Sequence, residues 1–231
     1  MILELLLKNN TIIILIIFIL IVYPNKSFAQ QTIFDVPSAD ITEAGMIFFQ
    51  HESQFSNKFG IFTNYGAYGI GKNTEIDLTL FQVGTNKVNN ENLGIGFKKI
   101  FPIREKSETK LTIGHLIPIS LRGHGVGGYT YSHLSTRLPK IKTRLTSGFL
   151  IGTTTIFGRD FICYIGGIEQ PITKRFSLIT DWHSGKHSYG FLISGFSYYF
   201  GHDSTLYAGY QIHNNRANGP NGFVIELAKI F

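Results

Sequence analysis

The stretch GFVIELAKIF, residues 222–231, ends the chain on an aromatic residue. Apolar and polar side chains alternate along most of it, which is the period-2 pattern of a β-strand with two different faces. A strand at the end of a chain still needs a neighbour for its backbone hydrogen bonds. Similar alternating stretches of about ten residues fill the chain upstream, and about ten tilted residues are enough to cross a bilayer. The pattern predicts a sheet that closes on its last strand inside a membrane.

The first 29 residues have the pattern of a secretory signal peptide. Lys8 and the amino terminus give a weakly basic start, residues 12–23 are almost all apolar, and the small residues Ser27 and Ala29 precede a cleavage point. The apolar run is shorter than the ~20 residues that a spanning helix needs. We therefore predict a signal peptide over residues 1–29, with an uncleaved membrane anchor as the alternative.

The composition argues against several classes of protein. The 21 Lys and Arg residues slightly outnumber the 15 Asp and Glu residues but form no basic run, so a nucleic-acid partner is not predicted. Cys163 is the only cysteine, which argues against a disulfide or a thiolate metal site. No second apolar run of about 18 residues follows residue 29, as a bundle of membrane helices would require. No cofactor and no metal site are predicted.

Alternation and turn residues predict an all-β fold, a closed antiparallel transmembrane β-barrel of about 12 strands, with 10–14 allowed by uncertain boundaries. Residues 30–43 are predicted to form a periplasmic N-terminal segment, and residues 44–231 the barrel. No connection is long enough to suggest a plug loop. The predicted strands are 44–53, 59–69, 74–84, 92–101, 108–118, 127–138, 143–153, 160–170, 174–183, 189–200, 204–213 and 222–231.

The connections between these strands alternate in length. Tight links at residues 71–73, 139–140, 170–171 and 201–203 are assigned to the periplasm. Longer polar links at residues 84–92, 184–188 and 214–221 are assigned to the exterior. Both chain ends then lie on the periplasmic side.

The leader, the evenly spaced short strands and the closing strand that ends at Phe231 resemble bacterial outer-membrane β-barrel proteins. The resemblance implies the outer membrane of a Gram-negative type envelope, contact with its lipids, and assembly by the barrel-insertion machinery. That machinery would read the apolar positions of the last strand, where Lys229 departs from the usual aromatic residue. The implied assembly signal comprises Phe223, Ile225, Leu227 and Phe231.

A narrower resemblance rests on two short stretches, GGIEQP at residues 166–171 and DWHSG at residues 181–185. They are similar to outer-membrane proteins that are assigned as transporters of aromatic-degradation pathways. The resemblance implies transport of a small solute.

The strand faces predict a lumen with two walls of opposite charge. Such walls would orient polar solutes and set ion selectivity. Alternatively, the charges pair across a narrow, filled lumen and only hold the barrel together. The acidic wall comprises Glu52, Glu75, Asp77 and Glu226, and the basic wall comprises Lys98, Lys110, Arg137 and Arg144.

Several inward residues are candidate solute contacts, namely Tyr129, Tyr131, Tyr207, Asp181 and His183. Aromatic rings in a lumen either stack on solutes or fill space. Asp181 and His183 lie two apart on one strand, roughly 7 Å from each other, and Ser184 faces away, so a nucleophilic triad is not predicted. The Gly-x-Gly-x-x-Gly match at residues 123–128 precedes a strand and is predicted to be a loop.

We predict an outer-membrane, porin-like channel or transporter that passes small solutes through a polar lumen without covalent chemistry. The sequence leaves the solute and the oligomeric state open. One alternative is a structural barrel with a closed lumen. Another is a lipid-modifying outer-membrane enzyme, which would need a Ser/His pair at the lipid-facing rim.

Overall fold

The computed structural model describes residues 32–58, 60–84, 89–159, 161–217 and 219–231, and for residues 89–90 the backbone alone. The predicted signal peptide lies outside these residues. Within them the chain forms twelve strands: β1 (Ile47–Phe55), β2 (Gly60–Gly71), β3 (Thr74–Gly84), β4 (Asn89–Arg104), β5 (Thr109–Ser120), β6 (Tyr129–Arg137), β7 (Arg144–Gly152), β8 (Ile162–Pro171), β9 (Phe176–His183), β10 (Phe191–Gly201), β11 (Ser204–His213) and β12 (Gly222–Ile230). One helical turn, α1 (Thr154–Phe157), and a 3₁₀ turn (Glu105–Ser107) lie between strands. No helix among the described residues is long and apolar enough to cross a membrane.

The strands form one closed antiparallel barrel in which each strand pairs with its neighbours in the chain. The seam joins β1 to β12 in register from Phe48↔Ile230 to Phe55↔Phe223. Ile47 and Phe231 extend the seam, because each backbone N–H donates to the other's carbonyl oxygen, at 3.1 and 2.8 Å. Closure removes the free edges that an open sheet would present. The predicted all-β barrel of about 12 strands is confirmed.

The two ends of the barrel differ in their connections. At the terminal end, where β1 begins and β12 finishes, the hairpins at Lys72-Asn73 and His202-Asp203 have two central residues with φ between 51° and 57°. This is the type I′ geometry that suits the twist of paired strands. At the opposite end, called the loop end below, the connections are longer and include residues 121–128, 153–161 and 214–221.

The outer face of the barrel is apolar. Ile76 and Leu78 of β3 are 50% and 56% exposed, whereas Glu75 and Asp77 between them are buried. The same alternation appears on β9 and β11, where Leu178 and Ile212 are exposed. Soluble proteins rarely expose such a continuous apolar surface, whereas a membrane barrel turns it to lipid.

The interior holds the N-terminal segment, here defined as residues 32–42. Ile33, Phe34 and Val36 are at most 1% exposed, and Phe34 packs edge-on against Tyr207 of β11 at 6.4 Å between ring centroids. We predicted a periplasmic segment over residues 30–43, but its described part is folded back into the barrel. Alternation could not reveal this, because the segment is not a strand and its apolar residues pack against the inner wall.

Glycines in the wall make room for this segment. A Cβ atom on Gly167 of β8 would lie 2.1 Å from Cδ1 of Ile33, and one on Gly209 of β11 would lie 2.6 Å from Cζ of Phe34. Any larger inward side chain at these positions would collide with the segment. The inner wall is therefore shaped to receive it.

Candidate functional site in the barrel lumen

Asp181 of β9 holds the first part of the N-terminal segment. Its Oδ2 atom accepts hydrogen bonds from the backbone N–H groups of Phe34, Asp35 and Val36, at 2.9, 2.8 and 2.8 Å. Asp181 is 1% exposed, so these three donors replace the water that a carboxylate would otherwise require. Successive N–H groups that converge on one oxygen form an anion-binding concavity. Asp181 thus holds three successive residues of the segment against the wall.

The second part of the segment is held near the terminal end by ion pairs. Arg144 of β7 contacts Asp40, and Nζ of Lys110 lies 3.6 Å from Asp40 and donates to the Ala39 carbonyl oxygen at 3.0 Å. Thr42 donates its N–H to Glu75 at 2.7 Å. Burial raises the pKa of Asp40, but the charges of Arg144 and Lys110 outweigh this effect and hold that pKa below its usual value. The carboxylate of Asp40 stays ionised at neutral pH.

The predicted basic wall faces the lumen, but its residues pair with nearby acids. Lys98 contacts Glu75 of the adjacent strand at 2.9 Å, and Arg137 contacts Glu108 at 3.1 Å. Arg144 also lies 3.6 Å from Glu169. The bases are gathered toward the terminal end, where they balance acids on neighbouring strands and on the N-terminal segment.

The predicted acidic wall also faces inward and divides into two groups. Glu75 belongs to the ion pairs near the terminal end. Glu52 and Glu226 are register partners across the β1–β12 seam, nearer the middle of the barrel. Their hydrogen bonds are to amides: Gln54 donates to Glu52 at 2.7 Å and Gln50 donates to Glu226 at 2.9 Å. No Lys or Arg among the described residues lies within salt-bridge distance of either carboxylate.

Two adjoining cavities, together called the vestibule below, occupy the lumen from this level toward the loop end. The deeper one has a volume of about 110 Å³ and the outer one about 160 Å³. Both are lined by a shared set of residues, namely Asp35, Glu52, Thr63, Phe81 and Tyr189. Asp77 lines the deeper cavity, where its Oδ1 accepts a hydrogen bond from the Tyr65 hydroxyl at 3.0 Å.

Aromatic rings narrow the vestibule near the loop end. Phe157 of α1 is 2% exposed and packs against Tyr129, Tyr189 and His187, with ring centroids 6.1, 5.5 and 4.8 Å away. We predicted no plug loop because no connection is long. A single turn of helix nevertheless carries one large ring over the lumen.

The predicted solute contacts separate into two groups. Tyr129, Tyr131 and His183 line the deeper cavity. Tyr207 and Asp181 instead contact the N-terminal segment. Asp35, Phe157 and Tyr189 were not predicted as lumenal residues. Asp35 and Phe157 lie outside every predicted strand, where alternation carries no information, and Tyr189 was predicted to begin a strand that in fact begins at Phe191.

The structure does not assemble a catalytic or metal-binding set among the described residues. The Ser184 hydroxyl accepts a hydrogen bond from the Tyr164 N–H at 2.7 Å, outside the lumen, while His183 points inward. No three His, Cys, Asp or Glu side chains in the described ranges are close enough to hold a metal ion. Residues 123–128 lie in the connection between β5 and β6.

Comparison with solved structures finds bacterial outer-membrane barrels. A KdgM porin in complex with disordered oligogalacturonate matches with a TM-score of 0.61 and 7% sequence identity, covering 80% of this chain and 99% of that chain. A NanC porin matches with a TM-score of 0.52 and 11% identity, covering 80% and 98%. An outer membrane channel from Pseudomonas putida F1 matches with 11% identity, covering 91% of this chain and 100% of that chain. Its TM-score of 0.45 is too low to support an argument. No protein-family model and no curated protein matches the sequence.

At these identities the likeness establishes the fold alone. The fold and the apolar exterior define the class predicted from the sequence, a bacterial outer-membrane β-barrel, and they place the protein in the outer membrane. The narrower resemblance to transporters of aromatic-degradation pathways stays a prediction.

Proposed function

We propose that this protein is an outer-membrane channel for small solutes and that the N-terminal segment forms its constriction. The observation that carries the proposal is the contrast between the two faces of one closed sheet. The outer face is apolar and the inner face carries charged and hydroxyl groups around a vestibule that opens toward the loop end. Such a lumen admits water and solutes that the bilayer excludes.

Solute would enter the vestibule at the loop end and meet Tyr129, Tyr131 and His183 in the deeper cavity. Passage beyond this level requires the N-terminal segment to shift, because Ile33, Phe34 and Val36 fill the lumen there. Binding in the path would come from charges and rings, and no covalent step is invoked. The KdgM and NanC porins share the fold and supply the general class of channel for this proposal, not its solute.

A closed structural barrel is the second candidate, and the filled interior favours it. The charges near the terminal end then only lock the N-terminal segment in place. The two functions differ in one measurable property, since a locked barrel conducts no ions.

Single-channel current in a planar bilayer tests the proposal. The protein should show a heat-modifiable gel band, which certifies the folded barrel, before it is added to the membrane. Discrete current steps are expected from the unaltered protein, with larger steps when the N-terminal segment is loosened by Asp181→Ala. Silence from both folded proteins would contradict the channel function and favour the closed barrel.

We further propose that the barrel-insertion machinery reads the outward side chains of β12 as an assembly signal. Phe223, Ile225 and Leu227 of β12 and the adjoining Phe231 are exposed on the outer surface and thus accessible to it during folding. This supports the role that the family resemblance implies for the closing strand.

A further inference from the structure

The vestibule carries acidic groups without matching bases. Asp35, Glu52 and Asp77 line its deeper part, and the one cation in that lining, Lys98, is 2.9 Å from Glu75. Two further carboxylates, Asp181 and Glu226, lie close enough to act on these groups electrostatically. The charge of Lys98 also acts on Asp77, but no Lys or Arg among the described residues lies within salt-bridge distance of the other four carboxylates, Asp35, Glu52, Asp181 and Glu226.

Several of these groups also lack hydrogen-bond partners. His183 lines the deeper cavity and is 3% exposed, and its Nδ1 atom has no partner among the described residues. Oδ2 of Asp35 and Oε1 of Glu226 are likewise buried without a partner there. Buried polar atoms in native structures are normally satisfied by protein, water or ligand, so these atoms are available to a polar group that enters the cavity.

Electrostatic repulsion within the cluster points to the sign of the missing group. Burial raises the pKa of the Asp35 carboxyl well above its usual value, and repulsion from Glu52 and Asp181 raises it further. A bound cation would relieve this repulsion, whereas an anion would increase it.

The walls between the acids are aromatic, which favours an organic cation over a metal ion. Tyr65, Tyr129 and Tyr189 line the cavity together with the rings of Phe81 and Phe157. Aromatic faces attract ammonium groups and accommodate their apolar bodies. A hard metal ion would need several converging oxygen ligands, and no three His, Cys, Asp or Glu side chains in the described part of the chain converge.

We propose that the vestibule is a binding site for small organic cations, an ammonium group joined to a short apolar or aromatic body. Binding at this site does not require conduction. The inference rests on the proposed channel function only in placing the binding site on the path of the solute. Glu52 and Asp35 contact the ammonium group, and the tyrosine rings contact its body. Oligogalacturonate, which is named with one structural neighbour, is an acidic chain and would be repelled here.

Isothermal titration calorimetry of the folded protein in detergent tests this specificity. The probes are benzylammonium, benzyl alcohol and benzoate, which share one ring and differ in charge. Benzylammonium should bind at least about tenfold more tightly than the other two, and Glu52→Gln should weaken its binding about tenfold, the effect of one lost charge-assisted contact. Asp35→Asn, on the N-terminal segment, should act in the same direction and replaces Glu52→Gln if that variant does not fold.

Glu91→Gln is the matched control, because it removes one carboxylate from the strand end near the vestibule without lining it. Its carboxylate pairs with Arg122 at 2.7 Å, and its removal should leave benzylammonium affinity unchanged. Equal binding of the three probes, or an equal loss in Glu91→Gln and Glu52→Gln, would overturn the proposal. Folded protein that binds benzylammonium but passes no current would refute the channel function and support the binding site. Protein that conducts ions but does not prefer benzylammonium over the other two probes would support the channel function and refute the binding site.

Discussion

Asp181 shows how one inward side chain organises the lumen. Its position on β9 points it into the barrel, and its Oδ2 atom collects three N–H groups of the N-terminal segment. An apolar residue there would leave the three N–H donors without partners. Each such loss costs about 1–3 kcal/mol, so the carboxylate, rather than the apolar contacts alone, fixes the position of the segment.

The substitution Asp181→Ala is expected to loosen residues 33–36 from the inner wall, while the contacts of Asp40 and Thr42 keep the end of the segment in place and the twelve strands persist. Limited proteolysis should then cut within the segment, which is protected in the unaltered protein, and single-channel current should rise. Thr180→Ala is the control, because the neighbouring Thr180 faces outward and bonds to Ser194 at 2.9 Å. Identical digestion patterns for the two variants would show that Asp181 does not anchor the segment.

At the scale of elements, the N-terminal segment and the inner wall are complementary in shape. Gly167 and Gly209 leave the space that Ile33 and Phe34 occupy. Neither glycine has a positive φ, so the requirement for glycine is steric and not conformational. Ile33 and Phe34 fill the space that the missing side chains leave.

Gly167→Val is therefore expected to lower the free energy of unfolding by about 1–3 kcal/mol, the usual cost of overpacking, or to expel Ile33 from the wall. Urea unfolding followed by the heat-modifiable gel band measures this. The control Gly166→Val places the same side chain on the outer face, where its Cβ would lie 3.3 Å from the Tyr164 ring, and should cost less. Equal destabilisation by both substitutions would show that the effect arises from β8 itself.

The closing strand supports a separate prediction. Removing Phe231 eliminates two backbone hydrogen bonds to Ile47, which together contribute about 1–3 kcal/mol, so the compact gel band should be lost at a lower temperature. Phe231→Ala keeps the backbone and removes only the ring. It should leave that temperature nearly unchanged but slow insertion in cells if the ring is part of the assembly signal. If Phe231→Ala lowers the temperature at which the compact band is lost as much as the deletion does, the ring contributes to stability instead.

Across the whole molecule, the lumen separates its charges along the barrel axis. Bases collect near the terminal end and are matched by acids, while the vestibule carries an excess of carboxylates. The inward acids are Asp35, Asp40, Glu52, Glu75, Asp77, Glu169, Asp181 and Glu226, and the inward bases are Lys98, Lys110, Arg137 and Arg144. The transverse field between opposite walls that the sequence suggested is therefore weakened by local pairing, and the axial separation favours cations.

Reversal potentials in a salt gradient should accordingly show cation preference at alkaline pH, where the vestibule carboxyls are ionised, and this preference should fall on acidification. The raised pKa of Asp35 means that it loses its charge at a higher pH than the ~3.9 of an exposed Asp, so the loss begins above that value. The groups that face or act on Asp35 are Glu52, Asp181, Glu226, Tyr129 and Tyr189. A pH-independent reversal potential, or one of the opposite sign, would contradict this assignment, and Asp35→Asn should reduce the pH response.

A closed barrel of about 12 strands could be predicted from the order of the residues alone. The number of strands, the facing of their side chains and the closure of the barrel follow from twelve alternating stretches, short turns such as Lys72-Asn73 and a last strand that runs to Phe231. These features are visible in the sequence because side chains alternate between the two faces of a strand with a period of two residues. The sequence also places the candidate charges and tyrosines of the strands on the inner face.

The contents of the lumen and the pairing of its charges could not be predicted in this way, because they depend on the folded barrel. The N-terminal segment has no strand periodicity, and its position depends on Asp181, Gly167 and Arg144, which lie more than 100 residues away in sequence. Likewise, ion pairs such as Lys98–Glu75 follow from strand register, and the ring of Phe157 enters the lumen from a connection. Alternation records which face a side chain occupies, but the contacts inside a closed barrel depend on distances between distant parts of the chain, and those exist only after the first and last strands have joined.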